Sequence, residues 1–142
     1  MLKHEECPGL NKISKVRQAS DKGLRRVSIL CGNGGLYLPQ ELARGADGAM
    51  TGFAYPEMLV TMIKLYQAGE HDKAEDIFDA YLPLVKHEQQ PGFGLALRKE
   101  VLYCRGVIST PTVRAPGPKL NSIDQEELTR LINRMEFFLE VL

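Results

Sequence analysis

The sequence predicts a helix-rich α/β fold, and three observations support this prediction. Two short apolar segments, 26–31 and 47–52, each end at a glycine, as buried strands often do. Amphipathic helical segments alternate with them, which implies parallel strands joined by crossover connections. From residue 56 onward the pattern is helical. Two strands and the end of a third cannot form a stable parallel sheet alone, so this part needs further packing.

Turn residues and apolar spacing divide the first half of the chain into elements. Apolar residues at helical spacing predict a short amphipathic helix over 10–20. The strand over 26–31 runs into the turn Gly32-Asn33-Gly34-Gly35. A helix over 38–44 has a proline in its first turn and ends at a glycine, and the strand over 47–52 follows it.

The second half is predicted to contain four helices. Three of them cover 56–68, 71–87 and 92–105. Pro83 lies inside the second of these and predicts a kink there. The proline-rich connection 110–118 is predicted to be extended rather than regular.

The last helix follows this connection. Ser122 and Asp124 are candidate caps at its beginning. Its predicted apolar face consists of Leu128, Leu131, Ile132, Met135 and Phe138.

Composition excludes several classes of function. The 142 residues are sufficient for one domain, and the 18 basic and 18 acidic residues give a net charge of zero. A surface that binds nucleic acid would need a basic stripe, which the sequence lacks. The sequence shows no apolar run of the ~18 residues that span a bilayer and no signal-peptide pattern. A cytoplasmic location is therefore predicted.

The three cysteines favour the same compartment. Cys7, Cys31 and Cys104 are far apart and odd in number, which argues against a disulfide framework and against a metal knuckle. We expect them to be small buried apolar groups in a reducing environment, rather than reactive thiols.

The histidines and the glycine turn suggest neither a metal site nor a nucleotide site. His4, His71 and His87 lack metal-ligand spacing, and His87-Glu88 is interpreted as a structural or surface pair rather than a zinc site. The turn at 32–35 could be taken for a phosphate loop, but it lacks the lysine and the spacing of a nucleotide site.

A family resemblance covers essentially the whole chain. The motifs that carry it are, in order, Lys3-His4-Glu5, Val27-Ser-Ile-Leu-Cys-Gly32, Gly45-Ala-Asp-Gly-Ala-Met-Thr-Gly52, Tyr66-Gln-Ala-Gly-Glu-His-Asp-Lys-Ala74, Leu82-Pro-Leu84 and Val113-Arg-Ala-Pro116. In this order and spacing the chain resembles the dihydrodipicolinate synthase/N-acetylneuraminate lyase family. The segments around Gly32-Asn-Gly-Gly and Met50-Thr-Gly look more like the branches that act on 2-keto-3-deoxy sugar acids.

The resemblance implies a fold and a division of the chain. Members are (β/α)8 TIM barrels with extra C-terminal helices, so this chain would contain strands six to eight followed by a helical region. Residues 1–68 would then be the last three βα units of the barrel. Residues 69–142, called the helical extension below, would pack on them as one unit.

The resemblance also implies a chemistry. Members condense or cleave 2-oxo acids through a Schiff-base lysine, and Lys3 occupies that position as the catalytic nucleophile. Gly32 and Met50 would line the 2-oxo acid site, and no metal or organic cofactor is implied. Without the resemblance, Lys3 would be interpreted as an ordinary terminal surface lysine.

The resemblance places the first five βα units of the family outside this sequence, together with a threonine pair and a tyrosine of the site. One hypothesis is therefore a C-terminal fragment of a Schiff-base lyase, which covers its open edges as a homo-oligomer or with an N-terminal half. The alternative is a non-catalytic structural or regulatory module that self-associates or pairs in the same way.

Overall fold

A small parallel sheet is formed within the first 49 residues, and the later part of the chain is helical. The computed structural model describes residues 1–7 and 9–142. Strands β1 (Leu2–His4), β2 (Ile29–Cys31) and β3 (Gly48–Ala49) form one sheet in the order β1-β2-β3, with both pairs parallel. The predicted helix-rich α/β fold is confirmed.

The strands are shorter than the apolar segments predict. Lys3 lies opposite Leu30 in the register, and Leu30 lies opposite Gly48. The second strand begins at residue 29 rather than 26, and the carbonyl of Val27 accepts a hydrogen bond from Arg17 Nη1 at 2.7 Å. Val27 is therefore held by a side chain of the preceding helix, whereas the carbonyl of Ser28 accepts a hydrogen bond from the Leu2 N–H of β1 at 2.7 Å.

The helices agree with the sequence-based bounds within two residues at each end, because glycine and proline mark most of their ends. They are α1 (Leu10–Asp21), α2 (Leu38–Ala43), α3 (Pro56–Gln67), α4 (His71–Glu88), α5 (Gly94–Cys104) and α6 (Ser122–Glu140). The connection over 110–118 has no regular secondary structure, as predicted.

The cap of α6 differs from the prediction in one residue. Asn121, not Ser122, is the N-cap: its side chain accepts a hydrogen bond from the Asp124 N–H at 3.0 Å. The Asp124 carboxylate in turn accepts from the Asn121 N–H at 2.8 Å, which completes a capping box. Ser122 is the first helical residue. Phe138, predicted on the apolar face, is 40% exposed.

The core lies between one face of the sheet and the helices. Ile29 and Cys31 are fully buried in β2, while Leu30 between them is only partly covered. Helix α4 contacts α3, α5 and α6 and also reaches α2. Helix α4, the first helix of the extension, therefore packs on α2 and α3.

Two predictions about the cysteines are wrong. Cys31 is buried as expected, but Cys7 and Cys104 are exposed, and all three are free thiols. Cys7 follows β1 in a turn, and Cys104 is the last residue of α5.

Among the described residues, no helix is both long enough and apolar enough to cross a membrane.

Candidate functional site

The three candidate site residues lie in or directly after the three neighbouring strands of the sheet. Lys3 lies in β1, while Gly32 and Met50 directly follow β2 and β3. The Gly32 N–H donates to the His4 carbonyl at 2.9 Å, and the Met50 N–H donates to the Cys31 carbonyl at 2.8 Å. Gly32 and Met50 therefore lie just beyond the carboxyl ends of β2 and β3, and Lys3 is the middle residue of the neighbouring parallel strand β1.

Lys3 lies on the open face of the sheet beside an acidic neighbour. Its Nζ atom is 2.7 Å from Glu5 Oε1, and the two side chains are 46% and 50% exposed. Lys3 and Leu30 are register partners, and both are more exposed than the buried residues on either side of Leu30. The described residues leave this face accessible to a ligand.

Glycine turns leave room for polar side chains at this edge. The Glu5 carboxylate occupies the space that a side chain at position 32 would need. Asn33 has a left-handed backbone (φ 50°), and its Nδ2 donates to the Glu5 carbonyl at 3.0 Å. The Gly34 N–H donates to Thr51 Oγ1 at 2.6 Å. The turns that follow β2 and β3 are thereby joined.

The helical extension adds three side chains that the sequence did not single out for the site. Gln89 lies against Gly34, and Arg98 lies against Gly52, each in the space that a side chain at the glycine would need. Glu88 is 2% exposed and forms an ion pair with Arg98 Nε. Spacing along the chain could not reveal these contacts, because Gln89 and Arg98 are more than 40 residues away from the glycines they contact.

Glu88 connects the extension to the loop after β3. Its Oε2 atom accepts a hydrogen bond from the Ala54 N–H at 3.1 Å. Burial raises the pKa of the Glu88 carboxyl above its ordinary value, although Arg98 and the Ala54 N–H favour the charged form and partly oppose this shift. The neighbouring His87 side chain contacts Gln90 instead. His87 and Glu88 thus have separate partners.

The opposite face of the sheet carries a second buried acid. Glu41 of α2 is 4% exposed, and burial raises the pKa of its carboxyl. Burial also raises the pKa of the nearby Cys31 thiol, and the Glu41 charge adds to this effect. A thiol that stays protonated is a poor nucleophile, so Cys31 is a packing residue.

The histidines are dispersed in the structure as in the sequence. His4 is buried beneath Gly9, and the ring of His71 stacks on Tyr66 with the centroids 4.1 Å apart. Within residues 1–7 and 9–142, no three histidine, cysteine or acidic side chains are grouped closely enough to hold a metal ion.

Parallel strands joined by helices, with polar side chains at the carboxyl edge, are the arrangement of βα enzymes. A family model matches most of this chain. The model, described as "Dihydrodipicolinate synthetase family", matches residues 5–135, so the chain belongs to this family. The matched segment begins two residues after Lys3.

Two similar proteins have names that fit this family, but the two names refer to different reactions. The chain is 31% identical over 105 residues to L-2-keto-3-deoxyarabonate dehydratase of Azospirillum brasilense, covering 74% of this chain and 34% of that protein. It is 52% identical to the crystal structure of dihydrodipicolinate synthase from Rhodopseudomonas palustris, with a TM-score of 0.92, covering 94% of this chain and 45% of that one.

A more distant structure shows the fold alone. It is 4-hydroxy-tetrahydrodipicolinate synthase of Methylacidiphilum fumariolicum SolV, with 22% identity, a TM-score of 0.79, and coverage of 99% of this chain and 46% of that one. The chain thus spans about a third of the curated relative and less than half of these two structures.

Proposed function

We propose that this chain carries the nucleophile and two lining residues of a Schiff-base site for 2-oxo acids, with Lys3 as the nucleophile. The observation that carries the proposal is the position of Gly32 and Met50 directly after β2 and β3, with Lys3 in the neighbouring strand β1 of the same parallel sheet. Enzymes built from βα units place their sites at this edge. Membership in the dihydrodipicolinate synthetase family supports the same role.

The chemistry needs an uncharged amine and an electron sink. The Lys3 amine attacks the carbonyl carbon of the 2-oxo acid, and the resulting carbinolamine loses water to give an iminium ion. The iminium accepts the electron pair left at the adjacent carbon when that carbon loses a proton or a carbon–carbon bond breaks. Gly32 would let the substrate carboxylate approach the backbone, and Met50 would supply an apolar wall.

The proposed substrate class is pyruvate or a 2-keto-3-deoxy sugar acid. The second choice is supported by the similarity to a 2-keto-3-deoxyarabonate dehydratase. It is also supported by the polar side chains around the glycine turns, since the hydroxyl groups of a sugar acid need hydrogen-bond partners. Asn33, Thr51, Gln89 and Arg98 offer such partners at the carboxyl edge.

We also propose that the open sides of the sheet are covered by association. In the part of the chain that the structure describes, β1 and β3 each pair with β2 only, so both outer strands have an unpaired edge. A second copy or an N-terminal half of the same family would cover these edges and Lys3. Sedimentation velocity tests this: we expect a dimer or larger species, and a stable monomer at high concentration would contradict it.

Trapping with borohydride tests the nucleophile. Incubation with pyruvate and sodium borohydride should fix a secondary amine on Lys3, which peptide mass spectrometry locates. The Lys3→Met variant should lose the adduct, whereas Lys119→Met, at an exposed lysine distant in sequence, should keep it. A folded wild-type chain that gives no adduct at millimolar pyruvate would leave the non-catalytic alternative as the better description.

A further inference from the structure

Arg98 is oriented by a buried carboxylate. Its Nε atom pairs with Glu88, which is itself fixed by burial and by the hydrogen bond from the Ala54 N–H. A carboxylate held in this way fixes the plane and the direction of the guanidinium group. Arg98 is therefore pre-positioned before any ligand arrives.

The two Nη groups of Arg98 carry N–H donors that have no partner among the described residues. Within the described residues, Arg98 Nε donates to Glu88, and neither Nη atom has a partner. The Nη1 atom lies at Gly52, two residues beyond Met50, and the side chain is 28% exposed. The fork formed by the two Nη groups is thus available beside the loop that follows β3.

We propose that Arg98 binds the oxygen atoms at the far end of a 2-oxo acid, so that α5 supplies a specificity residue to the site. The proposal rests on the proposed function for the near end of the ligand, at Lys3. Two Nη groups in one plane match a terminal carboxylate, which is the strongest ligand for such a fork, and they also bind a hydroxyl group.

The span between the two ends suits a ligand longer than pyruvate. Lys3 lies in β1, whereas Gly52, which Arg98 contacts, follows β3, and these two strands are two strand spacings apart, roughly 10 Å. The lysine side chain and a ligand of five or six carbons together cover a gap of this size. Pyruvate, with three carbons, would contact the Lys3 end only.

A purely structural role makes a different prediction. If Arg98 serves only to pair with Glu88, its removal lowers stability but changes the binding of long and short acids alike. Removal of a binding residue changes the long acid selectively. The comparison of two acids in one variant therefore separates the two roles.

The first experiment measures the half-saturation concentration for borohydride trapping with pyruvate and with 2-oxoglutarate. Arg98→Met should raise the value for 2-oxoglutarate about tenfold, the usual scale for one lost charge-assisted contact, and change that for pyruvate less than twofold. The double variant Glu88→Gln/Arg98→Met keeps the test valid if an unpaired Glu88 prevents folding. Arg130→Met, at an exposed arginine of α6, is the matched control.

The second experiment does not depend on Lys3. Glutarate has no 2-oxo group and cannot form a Schiff base, so its effect on the Gly52 amide signal in a nitrogen-15 NMR spectrum reports binding near Arg98 alone. We expect a saturable shift in the wild type and in Lys3→Met, and none in Glu88→Gln/Arg98→Met.

The outcomes of the two experiments are distinguishable. If wild type forms no adduct with either acid, the proposed function fails, and the glutarate titration still decides the role of Arg98. The proposal is overturned if glutarate at tens of millimolar leaves the Gly52 signal unchanged. It is also overturned if Arg98→Met weakens pyruvate and 2-oxoglutarate equally.

Discussion

The two ends of the three-stranded sheet are built in opposite ways. At the amino end, one carboxylate ties two strands and a helix together. Asp47, just before β3, accepts from the Ile29 N–H of β2 at 2.7 Å, and its carboxylate also pairs with Arg17 and Arg26. At the carboxyl end, Lys3 and Glu5 form a pair that is about half exposed.

The amino-end network is closed by further contacts of Arg17. Its Nε atom donates to the Gly45 carbonyl at 2.6 Å, and its Nη2 atom lies 2.5 Å from Asp47 Oδ2. All three nitrogens of the Arg17 guanidinium group therefore donate hydrogen bonds within the chain. By contrast, the Nη groups of Arg98 at the carboxyl end have no hydrogen-bond partner among the described residues. The comparison teaches that the Arg17 donors at the amino end are bonded within the chain, whereas the Arg98 Nη groups at the carboxyl end have no partner among the described residues.

The largest effect should come from removing the amino-end carboxylate. Asp47→Ala leaves two arginines and a backbone N–H without their acceptor, and we expect a loss of about 2–3 kcal/mol in the free energy of unfolding. Urea unfolding followed by circular dichroism measures this. Asp76→Ala, at an exposed position of α4, should cost less than about 0.5 kcal/mol. Equal losses in the two variants would show that the Asp47 carboxylate stabilises the chain no more than an exposed carboxylate does.

Acid should weaken the same end. Burial acts to raise the pKa of the Asp47 carboxyl, but Arg26, the Ile29 N–H and Arg17 outweigh it, so the pKa is lowered below 3.8. A lowered pKa adds stability that is fully present above 3.8 and is lost as the pH falls through the folded-state value; each unit of lowering is worth about 1.4 kcal/mol. The stability difference between wild type and Asp47→Asn should therefore be constant from about pH 5 to 8 and shrink below about pH 4. A difference that stays constant down to pH 2.5 would show that Asp47 is not the responsible group.

The smallest effect should come from the carboxyl end. Glu5→Ala removes the partner of Lys3, but both side chains are about half exposed, so we expect a change below about 1 kcal/mol. The same urea experiment tests it, with Asp47→Ala measured in parallel. A larger loss for Glu5→Ala than for Asp47→Ala would show that the pair at the carboxyl end contributes more to stability than the amino-end network does.

Local signals in the sequence were sufficient for the helices. Glycine and proline at element boundaries fixed α1 to α5 within two residues, because these residues act through their own backbone. The strands were predicted too long, since the length of a strand depends on what pairs with it. Asn121 was missed as a cap because Ser122, the next residue, is an equally good cap by residue type.

The candidate site was predictable in part. Lys3, Gly32 and Met50 were singled out by the family resemblance, and the structure places them in or directly after three neighbouring strands, whereas their roles remain proposals. Glu88 and Arg98 could not be found from the sequence, because a buried ion pair between two helices has no local pattern. The exposure of Cys7 and Cys104 was missed because the general tendency of cysteine to be buried was applied to all three.

The glycines at the carboxyl edge have a consequence for how the sequence can vary. The space beside Gly52 holds Arg98, and the space beside Gly34 holds Gln89, so each glycine and its distant partner share one volume. A methyl group added at Gly52 requires the end of the Arg98 side chain to move away from it. In related chains, a larger residue at position 52 should therefore occur together with a change at position 98, although more than 40 residues separate them, whereas the left-handed backbone of Gly34 (φ 65°) favours glycine whatever residue stands at position 89.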